Sequence, residues 1–140
     1  MNSKIVVDTS VIIKWLNQTN EENIDKADQI MESALKGRTE LLAPELAKYE
    51  TGNVLLKGKQ LTPGEAYISL GTVYSLPITF VSESEDLARE TFSLAYKLGI
   101  TYYDASFISL AKQYDAILVT ENPKHQGKLQ EIKVESLKNY

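Results

Sequence analysis

Three acidic residues stand far apart in this 140-residue chain, each where an acid is least expected: Asp8, Glu50 and Asp104. Asp8 closes the apolar run IVVD (residues 5 to 8). Glu50 falls inside the apolar arc of a predicted helix, and Asp104 opens another helix on its apolar side. A carboxylate costs several kcal/mol to bury unless it is paired or metal-bound. Three of them facing inward from separate elements point to a site rather than a surface. Carboxylates are hard oxygen ligands, the kind that Mg²⁺ and Mn²⁺ prefer. Each acid also has a plainer reading. Asp8 and Asp104 sit where Asp commonly caps a helix. Glu50, in mid-helix, has no capping duty, and its plain explanation is a buried ion pair with Lys14 or Lys57.

The elements that would position these acids follow from periodicity and punctuation. Residues 4 to 7 (KIVV) read as a buried strand, and VIIKWL (11 to 16) starts a short helix. Residues 22 to 36 carry Ile24, Ala27, Ile30, Met31, Ala34 and Leu35 at helical spacing, and Gly37 ends that helix. ELLA (40 to 43) is a short strand, and Pro44 suits the first turn of a helix reaching about Lys57. Thr62-Pro63-Gly64-Glu65 is a capping box that opens a helix to about Tyr74. ITFV (78 to 81) is a strand, and Ser82-Glu83-Ser84-Glu85 reads as a second capping box for a helix ending at Gly99. Residues 104 to 114 form a further helix, AILVT (116 to 120) the next strand, and 132 to 134 a weak last one. Strands thus alternate with helices, which predicts an α/β fold with a parallel sheet covered by helices and right-handed crossovers. No repeat or linker interrupts residues 1 to 140, so a single domain is expected.

Helical wheels place the acids. With about 100° per residue, Leu46, Ala47, Tyr49, Val54 and Leu56 share one arc with Glu50 and Asn53, while Lys48, Thr51 and Gly52 lie outside it. Phe107, Ile108, Leu110, Ala111 and Tyr114 face one way with Asp104, and Ser106, Ser109 and Gln113 face out. Asp8 follows a strand directly, and strand 116 to 119 delivers Thr120, Glu121 and Asn122 to the same edge. The crevice past the carboxyl ends of such strands is where open α/β sheets bind ligands.

Composition narrows the classes. The net charge is −4 and there are no cysteines. Thiolate metal sites, disulfides and cysteine nucleophiles are therefore excluded, and a reducing cytoplasm is a comfortable fit. No apolar stretch is long enough to span a membrane, and no signal-like segment is expected at the N-terminus. The acidic balance counts mildly against tight nucleic-acid binding, although a cation-loaded carboxylate cluster carries less negative charge.

The segments VVDTSVIIKWL (6 to 16), PELAKYETGNVL (44 to 55), YYDASFISLAK (102 to 112) and LVTEN (118 to 122) together resemble the PIN-domain family of metal-dependent nucleases, in particular its VapC-type toxin ribonucleases. The resemblance covers nearly the whole chain. It implies a PIN-like three-layer α/β/α fold around a central parallel sheet of four or five strands. It makes Asp8, Glu50 and Asp104 the catalytic metal ligands, and Ser10 the hydroxyl that shapes the site. Thr120 and Asn122 join Ser10 as substrate-side polar groups. The family's fourth acid is replaced here by Asn122, and the resemblance leaves either Asn122 or Glu121 beside it as a further metal ligand. The implied activity is Mg²⁺- or Mn²⁺-dependent endoribonuclease cleavage of RNA, with one or two ions. The implied partners are an antitoxin and a second copy of the chain.

Lys14, Lys48, Lys57, Lys59, Lys124 and Lys128 are candidates for phosphate contact, against an ordinary role as solvated surface. His125 follows the site segment closely; a lone loop histidine is more often plain surface. Trp15 reads as core, although it and the tyrosines are able to stack bases. The apolar run Tyr67, Ile68, Leu70, Val73 and Tyr74 fits either an interface or the core. Two rival functions remain: a catalytically weak PIN-fold partner-binding or RNA-processing module, and a phospho-acceptor domain. The latter wants paired acids after the first strand and a lysine after a late one, where this chain has a lone Asp8 and Thr120-Glu121. Nucleotide-loop enzymes are disfavoured because neither GxGxxG nor GxxxxGK[ST] occurs.

Overall fold

Ile5, Val6 and Val7 are all buried, as are Leu41, Leu42 and Ala43, and Leu118, Val119 and Thr120. Successive strand residues point to opposite faces, so strands buried on consecutive residues need cover on both sides. A computed structural model, describing residues 3–121, 123 and 132–140, shows that arrangement. In chain order it contains β1 (Ser3–Val7), α1 (Thr9–Ile12), α2 (Ile24–Leu35), β2 (Thr39–Pro44), α3 (Leu46–Asn53), α4 (Pro63–Ser75), β3 (Ile78–Val81), α5 (Glu85–Leu98), α6 (Tyr102–Tyr114), β4 (Ile117–Thr120) and β5 (Val134–Ser136). A 3₁₀ turn (Ile13–Trp15) continues α1, and a π-helical turn (Val54–Gly58) continues α3. The five strands form one parallel sheet in the order β3-β2-β1-β4-β5. The expected α/β architecture is borne out. Among the described residues no helix is long and apolar enough to cross a membrane.

Local signals explain most boundaries. Thr62 caps α4: its hydroxyl accepts from the Glu65 amide, Glu65 reaches back to the Thr62 amide at 2.9 Å, and Pro63 opens the helix. Gly99 ends α5 in the left-handed region (φ 67°) that costs a side-chain-bearing residue dearly. The cap of α5 is Ser84, which accepts from the Leu87 amide, rather than a box begun at Ser82. Pro44 is the last residue of β2 and not the first of a helix, because its strand pairs with β3 through the Pro44–Val81 position. The last strand lies at Val134–Ser136, shifted from the expected 132 to 134 by pairing with Leu118–Thr120.

Two helix faces differ from the wheels, and a third settles an open alternative. Along α3 and the π-helical turn that continues it the buried stripe is Ala47, Thr51 and Leu55, while Tyr49 (80% exposed) and Leu56 (59%) look outward. Thr51, expected outside, lies inside because α3 packs against β2 and α1 through that stripe. Ala105 through Ala111 are all buried, so Ser106 and Ser109 do not face out. Helix α6 is wedged between the sheet and α5, and Ser109 shares a 2.6 Å hydrogen bond with Thr91 of α5. On α4 only Val73 of the apolar run is fully buried; Tyr67, Ile68 and Tyr74 are exposed. Trp15 is half-buried against the core, its indole donating to the Ala27 carbonyl at 3.0 Å.

Candidate active site

The sheet order places β1 at the centre: successive strands run from it one way through β2 and β3, and the other way through β4 and β5. That reversal opens a crevice at the carboxyl ends of β1 and β4, the place where such sheets bind ligands. Asp8 stands there. Val7 pairs with Val119, and the Asp8 amide continues the ladder by donating to the Val119 carbonyl at 3.0 Å. The register therefore sets Asp8 beside Thr120.

Asp8, Glu50 and Asp104 line one open pocket of about 520 Å³, together with Thr9, Ser10, Leu46, Tyr49, Asn53, Val54 and Tyr103. Asp8 occupies the cap position of α1, yet its side chain makes no capping bond. Its Oδ2 instead accepts from the Ser10 hydroxyl at 2.7 Å and the Thr120 hydroxyl at 2.9 Å. Asp104 does not begin its helix and does not cap it. Thr101 is the cap, accepting from the Asp104 amide at 3.0 Å, which leaves the Asp104 carboxylate to the pocket wall. Glu50 is not salt-bridged to Lys14 or Lys57 within the described residues; its Oε1 accepts from the Thr9 hydroxyl at 2.7 Å. Burial pushes the Glu50 carboxyl above the usual range, and the negative charges of Asp8 and Asp104 push it further, against the pull of the Thr9 hydrogen bond.

The acids share a pocket wall without clasping one point. Among the described residues, no three acidic or imidazole side chains are grouped closely enough to form a ready-made metal cage. Thr9 and Tyr103 are pocket residues that the sequence reading passed over, while Asn53 lines the pocket beside Glu50 as their shared arc implies. The adjacency of Thr9 and Tyr103 to Asp8 and Asp104 was the available signal. The π-helical turn that begins at Val54, closed by the Lys59 amide donating to the Val54 carbonyl at 2.8 Å, borders the pocket; such turns often accompany functional sites.

Other candidates fall elsewhere. Lys14 is not a phosphate contact on the surface: it is 1% exposed and paired at 2.8 Å with both Glu21 and Glu121. Burial alone would lower its pKa, and Glu121 and Glu21 outweigh it to hold the ammonium above its ordinary value. Lys59 is held by Glu21 at 2.6 Å. Lys48 pairs with Glu45 at 2.9 Å and lies 4.8 Å from the centre of the Phe80 ring. Asn122, Lys124, His125 and Lys128 lie outside the described residues.

The flank of the pocket adjoins a second cavity of about 280 Å³, lined among others by Val81, Glu83, Leu87 and Tyr102. Leu46, Tyr49 and Tyr103 belong to both. Tyr102 donates to Glu83 at 2.7 Å, and burial followed by that carboxylate raises the Tyr102 phenol to about 12.

The chain is similar to proteins of a known family. The family model of the PIN domain matches residues 5–129. A ribonuclease, VapC3, from Pyrobaculum aerophilum is 31% identical over 121 residues, 84% of this chain and 88% of its own length. Among solved structures, VapBC2 from Rickettsia felis bound to a promoter DNA fragment superposes with a TM-score of 0.72 at 14% identity, covering 95% of this chain and 98% of that one. DNA-bound VapBC from Salmonella typhimurium gives 0.70 at 15% identity, covering 96% and 98%. At such identities the structural likeness establishes the fold alone.

Proposed function

Since the chain belongs to the PIN-domain family, we propose that it is a divalent-metal-dependent endoribonuclease, the toxin of a toxin–antitoxin pair. The observation that carries this reading is the meeting of Asp8, Glu50 and Asp104, from three elements, in one pocket at the sheet's switch point. The donor set fits Mg²⁺ or Mn²⁺: all three ligands are hard oxygens, and the burial and neighbouring negative charges that raise the Glu50 carboxyl are offset when positive charge arrives. The loose grouping of the acids is compatible with Mg²⁺, which keeps several waters and takes only one or two carboxylates directly.

In this reading Asp8, Glu50 and Asp104 hold the cation, and Ser10, Thr120 and Thr9 fix the orientation of Asp8 and Glu50 by the bonds described. When bound, the ion supplies a Lewis acid that polarises the scissile phosphate and acidifies a water. The reaction consumes one water. Its oxygen joins phosphorus, the bond from phosphorus to the 3′-oxygen breaks, and a 5′-phosphate and a 3′-hydroxyl are left. Tyr49 and Tyr103, exposed at the pocket mouth, offer faces on which unpaired bases stack. An antitoxin is the expected partner, since the solved structures of similar fold include a toxin–antitoxin complex from Klebsiella pneumoniae. A homodimer would cover the exposed Tyr67, Ile68 and Tyr74 of α4, and the cytoplasm is the compartment that suits this role.

One observation favours the rival, a PIN-fold module that binds partners without cutting: the acids are not grouped as a ready cage. Incubating the protein with RNA in Mg²⁺ or Mn²⁺ separates the two. Cleavage that falls by about a thousandfold or more in Asp8→Asn supports the nuclease. Equal cleavage by both proteins, or none by either, would retire it.

A further inference from the structure

A short chain of contacts joins a buried cation to the acid pocket. Lys14 Nζ meets Glu121 Oε1 at 2.8 Å. The Glu121 amide donates to Ser10 Oγ at 3.1 Å, and Ser10 Oγ donates to Asp8 Oδ2 at 2.7 Å. Glu121 is thus divided: its backbone supports Asp8 through Ser10, while its carboxylate is turned to Lys14, with the Asn23 amide at 3.4 Å from the same oxygen. Glu121 directly follows Thr120, whose hydroxyl already touches Asp8. Glu121 lines the cavity that shares Thr9, Ser10 and Val54 with the acid pocket, so its carboxylate stands next to that pocket while it is held to Lys14.

Lys14 is itself firmly held. It donates to the Glu22 carbonyl at 2.6 Å and to Glu21 at 2.8 Å, and the other oxygen of Glu21 takes Lys59 at 2.6 Å. Lys14, Lys59, Glu21 and Glu121 make a group with balanced charge. They sit beside a cavity that meets the acid pocket along Thr9, Ser10 and Val54.

We propose that Lys14 is a positioning residue of the acid site: it keeps the Glu121 carboxylate out of the pocket, so that among the described residues the end of β4 offers Asp8 only hydroxyl and backbone groups and the cation-binding carboxylates stop at Asp8, Glu50 and Asp104. The inference rests on the three-acid reading above. It assigns to an ion pair, rather than to sequence spacing, the decision whether a fourth carboxylate enters.

The test is a calorimetric titration of Mn²⁺ into the whole protein and four variants: Glu121→Gln, Lys14→Met, the double variant and Asp8→Asn. Wild type and Glu121→Gln should bind Mn²⁺ alike. Lys14→Met, with Glu121 released, should bind about tenfold more tightly or show a second binding event, a change of the size that residues supporting metal ligands produce. The double variant should return to wild-type binding, because the gain runs through Glu121. Glu121→Gln that weakens binding about tenfold or more makes Glu121 a ligand and overturns the proposal. So does Lys14→Met that binds as wild type does, or that changes in a way Glu121→Gln does not reverse. Should Lys14→Met fail to fold, Lys14→Gln takes its place in the same single and double titrations. Wild type that takes up no Mn²⁺, or Asp8→Asn that binds as well as wild type, overturns the three-acid reading itself. With wild type binding and Asp8→Asn silent, a failed Lys14 or Glu121 titration overturns the clamp alone.

Discussion

Lys14→Met is also the sharpest test of how this fold tolerates a charge in its interior. Methionine keeps the stem of the lysine and removes the ammonium, so packing is largely retained. What changes is the company of two carboxylates. Glu21 keeps Lys59 at 2.6 Å, whereas among the described residues Glu121 is left with the 3.4 Å contact from Asn23. Breaking a fully buried pair costs about 3–5 kcal/mol. Here the Glu21 and Glu121 side chains retain 16% and 27% of their exposure, so water partly rescues them and the low end applies. A loss of about 3 kcal/mol against an unfolding entropy of about 2.1 cal/mol/K per residue corresponds to a fall in Tm of about 10 °C. Thermal unfolding followed by circular dichroism measures it. The dependence on pH has a sign. Burial would raise the Glu21 carboxyl, but Lys14 and Lys59 outweigh it and hold it below 4.5 in the folded protein. Its contribution is therefore complete above that value and is lost as pH falls through the lower folded one. The gap between wild type and Lys14→Met should narrow in acid. A Tm change under about 2 °C at neutral pH, or a gap that widens in acid, would refute the reasoning.

Glu50 has the opposite sign. Its folded pKa lies above 4.5, so the metal-free protein loses stability as pH rises from that value through the folded one, and the ionised group remains a cost above it. Glu50→Gln should therefore have the higher Tm of the two at neutral pH without metal, the advantage should vanish near pH 4, and saturating Mn²⁺ should reverse the order; a Gln variant less stable at neutral pH without metal contradicts this. Thr51 is fully buried and its hydroxyl has no hydrogen-bond partner among the described residues. Thr51→Val, nearly the same shape, should stabilise by about 1 kcal/mol or raise Tm by about 3 °C in the same melt, and a loss of stability would show that the hydroxyl is satisfied in solution. Thr62→Ala removes the cap of α4 and should cost about 1 kcal/mol, read as a lower denaturation midpoint in urea at unchanged slope.

Much of this protein was legible residue by residue. ITFV is a strand with the expected ends, Thr62-Pro63-Gly64-Glu65 caps a helix, and Gly99 stops one, because each signal acts within a turn or two of chain. The alternation of strands and helices was likewise enough to name the architecture, since parallel strands need helical crossovers. Faces were harder to read. The wheel put Tyr49 with Ala47 and left Thr51 and Ser109 outside, but a helix wheel knows only its own period, while burial depends on what lies across from it. Ser109 is inside because Thr91 of α5 completes its hydrogen bonding.

The sequence by itself determined which residues are acidic, which elements carry them and that three of those acids sit where a surface acid would not. Only the tertiary structure decided that β1 and β4 are neighbours in a register that sets Asp8 beside Thr120. It also decided that Lys14 faces Glu21 and Glu121 rather than Glu50. Strand order and the choice of ion-pair partner join residues up to 112 positions apart; they are settled by competition among whole elements for the same buried space, and no local pattern records the outcome.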